Sequence, residues 1–321
     1  TCTVQRATTI AGPSNWIDYV QHEATNATMA LRVHDANPPS GMMLVPAGSF
    51  QMGDNLGDGY GMENPVHSVY VSSFYMDCTE VSWSKWIGVR NWAVTNGYQF
   101  GFYVSTTKPD SYPVGRVDWF DAVKWCNARS EKEGRSPVYY IDAEMTQVYR
   151  SGEISPHAKW SAGGYRLPTE AEWEKAARGG LSGHRFPWGD TIQHSLANYC
   201  SHLDFPYDTS PTQQYNPLFV TGNTPYTSPV GYFLPNGYGL YDMTGNVIEW
   251  CWDYYAAGDY ATMPIVDPRG PDAGSDVRVI RGASWEGRAF YQRCAYRQGM
   301  LDQTYSYSIG FRTVICPQSG R

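Results

Sequence analysis

Glycine and proline punctuate this chain so densely that long helices have little room. It carries 32 Gly and 21 Pro in 321 residues. Proline interrupts helices and central strands, and glycine supplies the left-handed backbone of tight turns. A turn-rich fold with few long helices follows. Such a fold needs large side chains to hold its turns, and 12 Trp with 25 Tyr provide an aromatic core.

The length suits one large domain or two small ones. Lys+Arg is 24 and Asp+Glu is 31, so the net charge is −7. Nucleic-acid binding needs a positive footprint, so no nucleic-acid partner is expected. No apolar run approaches the length of a membrane span, so none is expected. The first residue is Thr1 and not Met. That fits a mature terminus left after removal of a secretion signal, which predicts a secreted protein, extracellular or periplasmic.

The seven cysteines are Cys2, Cys78, Cys126, Cys200, Cys251, Cys294 and Cys316. No Cys-x-x-Cys pair exists, which argues against a zinc ribbon or a thioredoxin-type centre. Cys2 and Cys316 sit near opposite termini, and chain ends often lie close together, so a Cys2–Cys316 disulfide is expected. Cys126 is expected to be unpaired. His194, Cys200 and His202 are close in sequence, but their spacing matches no closed tetrahedral site, and they read as loop residues.

Residues 1–40 read as an N-terminal helical arm and linker. Trp16, Val20, Ala24, Met29 and Leu31 give a loose helical pattern before Asn37-Pro-Pro-Ser. Residues 41–316 form the main domain, and 317–321 a tail. Met43-Leu-Val-Pro-Ala-Gly-Ser-Phe-Gln-Met-Gly53 reads as strand, turn and strand, and 66–76 as another alternating strand. Ser82 is placed to cap a helix through Asn91, and Asp118 one through about Lys132. Thr169-x-x-Glu172 is a capping box with a Gly179-Gly180 stop. Residues 137–149 suggest a hairpin, and 200–228 a long ordered loop.

Three blocks then carry a resemblance. They are Tyr165-Arg-Leu-Pro-Thr169-Glu-Ala-Glu172-Trp173-Glu, Asn236-Gly-Tyr-Gly-Leu-Tyr-Asp242-Met-Thr-Gly-Asn246-Val-Ile-Glu249-Trp250, and Arg281-Gly-Ala-Ser-Trp285 followed by Ile309-Gly-Phe-Arg312. Together they resemble the sulfatase-modifying factor, or formylglycine-generating enzyme, family. The resemblance spans some 270 residues in the right order. It implies an α+β fold related to C-type lectins, with low regular secondary structure, short helices, small antiparallel sheets and long ordered loops.

The resemblance also implies sites. One calcium ion would be held by Asp242, Gly245, Val247 and Glu249, two side chains and two carbonyls offering hard oxygens from a tight turn. A second would begin at Asn198 and Tyr199, with Asp208, Asn223 or a carbonyl near Gly222 open as further ligands. The family's copper site needs two thiols after the Gly-Gly-Ser turn. Here Ser284-Trp285 is followed by Glu286, Gly287, Arg288, Ala289, Phe290 and Tyr291, and no cysteine appears before Cys294. Copper is therefore not expected. Cys251 and Cys294 border the family's site and are expected to form a disulfide. The usual Trp of the Asn-Val-Trp-Glu-Trp motif is Ile248.

Ser284, Trp285, Glu286, Arg288 and Tyr291 are thus expected to form a ligand-binding face. The function expected is a secreted, non-catalytic, calcium-stabilised binding or structural subunit, with a protein partner or self-assembly. Two alternatives stay open. One is an oxidase of the formylglycine-generating or siderophore-tailoring type, with Glu286 as general base and Arg288 fixing an anion. The other is a carbohydrate-binding module that takes a glycan on aromatic faces.

Overall fold

The computed structural model describes residues 39–101 and 109–317. The expected arm, Cys2 and most of the tail lie outside the described residues.

Four strands open the domain: β1 (Met42–Val45), β2 (Gly48–Met52), β3 (His67–Val71) and β4 (Phe74–Asp77). The Pro46-Ala47 turn does not fold β1 and β2 into one hairpin. β1 pairs antiparallel with β4, while β2 pairs antiparallel with β3. The turn instead passes the chain from one sheet to another, and Val45 and Met52 are both buried in one core cluster on either side of it.

Helix α1 (Trp83–Thr95) is capped by the Ser82 hydroxyl, which accepts from Lys85 N. It runs four residues beyond Asn91 and stops before Gly97. Helix α2 (Trp119–Lys132) is capped by Asp118 as expected. Trp86 of α1 stacks on Trp125 of α2 at 6.1 Å with rings 6° from parallel, and Phe311 meets both edge-on. Helix α3 (Glu170–Arg178) has both arms of its capping box: Glu172 N donates to Thr169 Oγ1, and Thr169 N donates to Glu172 Oε2. Gly179 ends it in the left-handed region at φ 57°.

Between these helices β5 (Tyr139–Tyr140) pairs with β6 (His157–Ala158). The expected hairpin is present but short: Tyr140 bridges Val148, with Ile141 N donating to Gln147 O and Tyr149 N to Tyr139 O. The buried Asn127 side chain limits it, taking Tyr139 N and Tyr149 O, the pair that would extend the ladder. In the 200–228 loop β7 (Cys200–Ser201) pairs with β8 (Gln214–Tyr215).

The last strands are β9 (Ile248–Tyr254), β10 (Val277–Arg281), β11 (Gln298–Leu301), β12 (Ile309–Gly310) and β13 (Val314–Ile315). One sheet runs β11-β10-β9-β12, and another β1-β4-β13. The expectation of small antiparallel sheets holds except at β12, which lies parallel to β9. The architecture is α+β with little regular structure for its length.

Candidate functional site

β9 and β10 form the floor of the site. At the end of β10 the chain turns sharply through Gly282 (φ 90°) and Ala283 (φ 53°). A side chain at position 282 would put Cβ 2.9 Å from the Trp173 ring, so glycine is required there by space as well as by dihedral. The turn delivers Ser284 to the mouth of a cavity of about 230 Å³. Ile248 and Ile280 supply apolar floor, Tyr291 and Tyr296 an aromatic wall, and Ser284 and Glu286 polar edges. The two tyrosine rings meet edge to face at 5.0 Å.

Arg281 holds this wall in place. Its buried guanidinium donates to the carbonyls of Cys294, Ala295 and Tyr296 and is paired with Glu174 of α3. Arg297 makes a parallel bidentate contact to Glu170, 2.6 Å at each oxygen. The 294–297 segment is therefore bound to α3 by buried charge-assisted hydrogen bonds, the strongest neutralising geometry for a guanidinium. Burial and the neighbouring phenols push the Tyr296 hydroxyl upward.

Five residues were expected on this face, and the structure brings three of them together: Ser284, Glu286 and Tyr291 line the cavity. Trp285 does not. It is buried between Tyr215 and Tyr226, each at 5.3 Å, because successive residues of the turn point opposite ways. Arg288 also points away, into an exposed pair with Asp204 at 3.0 Å. Ile280, Arg281 and Gln298 were missed. Arg281 sat inside a recognised motif, and alternation along β10 was the signal that would have found Ile280.

Among the described residues no cysteine lines the cavity. Cys251 and Cys294 are buried free thiols, and the expected disulfide between them is not formed. Arg281 and its carboxylate partners lie beside both, so a guanidinium and not sulfur joins strand to turn. Burial raises both thiols, Cys294 to about 12. Cys126 is free and buried, as expected. Cys316 is a half-buried free thiol 3.8 Å from Arg166 Nη2, and its expected partner Cys2 lies outside the described residues. Cys200 is half-buried, and its N–H donates to Gly287 O, beside the turn.

The expected calcium turn lies behind the cavity. Asp242, Gly245 and Asn246 all have positive φ, which coils the backbone tightly. A Cβ at Gly245 would sit 2.3 Å from Asn198 O, so glycine lets the Asn198 strand lie against the turn. Asn246 N donates to that same carbonyl at 2.9 Å. The two segments expected to hold calcium are thus in contact. Asn198 Nδ2 is turned to Tyr226 O, and the Tyr199 hydroxyl to Asp208 and Ser210.

Three buried carboxylates, Glu80, Asp242 and Glu249, surround one guanidinium, Arg312. Glu249 receives Arg312 Nε and Nη2, both at 2.7 Å, and Trp173 Nε1 at 2.8 Å. Its oxygens are therefore engaged by protein donors, which the sequence did not anticipate. Asp242 Oδ2 accepts from Gly231 N, while its buried Oδ1 has no partner. Desolvation pushes Asp242 up to about 6. Burial, with Asp242 and Glu249 nearby, pushes Glu80 well above the usual range. Among the described residues no three His, Cys, Asp or Glu side chains converge on one metal position. The fit to a divalent cation rests on Asp242 Oδ1 and the excess of negative charge, with backbone carbonyls needed to complete it.

Comparison with known proteins identifies the family. A formylglycine-generating enzyme of Streptomyces coelicolor is 33% identical over 286 residues, covering 85% of this chain and 88% of the enzyme. A Bos taurus protein named inactive C-alpha-formylglycine-generating enzyme 2 is 31% identical, covering 84% and 86%. The solved structure of Treponema denticola variable protein 1 superposes with a TM-score of 0.64 at 28% identity, covering 86% of this chain and 95% of that one. The sulfatase-modifying factor enzyme 1-like domain model matches residues 29–316, and the chain belongs to that family.

Proposed function

We propose that this chain is a secreted, non-catalytic member of its family that binds a ligand or partner through the cavity beside Ser284. The observation that carries this reading is the lining of that cavity. Where copper chemistry needs two soft thiolates, the side chains are Ser284, Glu286, Tyr291 and Tyr296. Cys251 on β9 and Cys294 after the turn are buried and held protonated by desolvation. Among the described residues Ser284 has no His or carboxylate partner: its Oγ accepts from Glu286 N at 3.4 Å. A serine so placed lacks the base that a nucleophile needs. A relative named inactive supports a family that includes members without activity.

The cavity is the end of an aromatic path. Phe290 touches Tyr60 at 4.7 Å, Phe205 at 5.8 Å and Tyr291 at 5.5 Å. Rigid rings offer contact area at low entropic cost, which suits a protein partner. A glycan is the second reading, favoured by the same faces. Calcium at the Asp242 turn would act as a structural counter-charge, with Gly245 and Val247 carbonyls as further ligands and Glu249 set behind them. It would supply hard-cation cross-linking of the turn, and this chain's residues would fix the loop behind β9.

Copper(I) titration of the reduced chain tests the reading. No stoichiometric binding is expected with Cys200 blocked, and one tightly held copper per chain would overturn it. Calcium is tested separately by thermal unfolding. A calcium-dependent rise that is lost in Asp242→Asn supports the site, and indifference of the wild type to calcium removes it.

A further inference from the structure

Buried basic side chains in this protein follow a pattern. Arg129 is paired with Asp77, Arg166 with Glu172, Arg293 with Glu63 and Arg312 with Glu249. Lys124 is paired with Asp121, and Arg178 with Glu174. Burying a charge without a partner is costly, so the pattern is what physics requires. Among the described residues two buried cations depart from it. Arg278 is held between aromatic faces, 3.8 Å from the Trp119 ring and 3.5 Å from that of Tyr254. Lys175 has no such compensation.

Lys175 lies on α3 and is 4% exposed. Its Nζ donates to Gly48 O at 2.7 Å and Val71 O at 3.3 Å, and among the described residues no carboxylate pairs with it. Asp267 is the acid whose charge it feels, but that carboxylate accepts from Ser72 N and Oγ. An ammonium has three donors, so one remains. Desolvation lowers the group to about 8, as an under-compensated buried ammonium should be.

Beside it is a second cavity of about 250 Å³, away from the Ser284 site, between the β2–β3 hairpin and the end of α3. Lys175 and Arg178 line it with Ser49, Gln51, Ser68 and Ser182. The lining holds two cations and several neutral donors, and no Asp or Glu, in a chain of net charge −7. The last carbonyls of α3, on Ala176 and Ala177, accept from Asn236 Nδ2, which blunts the negative end of the helix. A cation in this cavity would face the uncompensated Lys175 ammonium, while the Arg178 charge is already matched by Glu174. An apolar group would leave the remaining donor of the buried Lys175 ammonium without a partner.

We propose that this cavity binds a small oxyanion, a carboxylate or phosphate group, with the Lys175 ammonium as its counter-charge and the Ser182 hydroxyl on its rim as a donor. The anion completes the pairing that the other buried cations find within the chain.

The test is side-chain ammonium NMR of the full ¹⁵N-labelled chain, titrated with inorganic phosphate and separately with acetate, at ionic strength held constant with chloride. Lys175→Arg identifies the Lys175 signal by its loss. A saturable shift of that signal, with the other lysines unmoved, is expected for at least one probe, and the pair of titrations tells phosphate from carboxylate. Ser182→Ala, on the exposed rim, should weaken binding several-fold without unfolding the chain. A Lys175 signal that ignores both probes, or that drifts linearly together with the other lysines, overturns the proposal.

Discussion

Removing Arg312 should cost far more than removing any exposed arginine, and the structure says why. Its guanidinium is fully buried and gives two hydrogen bonds to Glu249, one to Tyr241 O at 2.9 Å, and longer ones to the Asp77 and Cys78 carbonyls. It is also the cation shared by Glu80 and Asp242. Arg312→Met leaves an almost isosteric stem and three buried carboxylates with no counter-charge. Breaking a buried pair by removing one partner costs about 3–5 kcal/mol. That is a large part of the roughly 5–15 kcal/mol that holds a domain together. Arg288→Met is the control, because its pair with Asp204 is half exposed on both sides. An exposed pair is worth about 0–1 kcal/mol. Urea unfolding of both variants at neutral pH measures the difference. Adding Glu249→Gln to Arg312→Met should restore part of the loss, since one stranded charge is then removed. If Arg312→Met is no more destabilising than Arg288→Met, the buried cluster does not carry the charges assigned to it.

Three further outcomes are expected. Gly245→Ala should destabilise by about 2 kcal/mol or more, since Cβ would meet Asn198 O at 2.3 Å and φ is 83°, and calorimetry of the variant would show it. Cys251 and Cys294 should resist alkylation at pH 8 in the folded chain and react after denaturation, while the half-buried Cys78 and Cys316 react earlier, as peptide mass mapping would reveal. Burial and the neighbouring Asp121 push Asp118 up to about 7, so the folded chain holds that proton more tightly than the unfolded chain. Stability from this group is then present below pH 3.8 and is lost as pH rises through about 7, and Asp118→Asn, which keeps a helix cap, should flatten that slope in urea titrations.

Local chemistry made much of this fold legible. The capping box at Thr169, the Asp118 cap and the Gly179 stop are each decided within four residues, and each stands where the sequence put it. What failed depended on partners far away. The strands on either side of Pro46-Ala47 stand as read, but nothing local says that β1 pairs with β4, about 30 residues on. Trp285 looked like a contact residue because it follows Ser284, but Tyr215 and Tyr226 from a distant loop bury it. Glu249 looked like a pure ligand until Arg312, 63 residues later, was seen to hold both its oxygens. The Cys251–Cys294 pairing failed for a related reason, since the Arg281 network that occupies their surroundings cannot be read from cysteine positions. The motifs pointed to the Ser284 turn, and long-range packing and ion pairing decided which of its side chains face the cavity.

The central claim is that the Ser284 cavity binds and does not oxidise. The most direct test is to incubate the reduced full chain with copper(I), oxygen and a Cys-x-Pro-x-Arg peptide, and to follow the peptide by mass. The cavity offers a hard carboxylate and phenols where soft thiolates would be required, so the peptide mass should stay unchanged. Conversion of the peptide thiol to an aldehyde, abolished by Cys200→Ser or Cys294→Ser, would contradict the account.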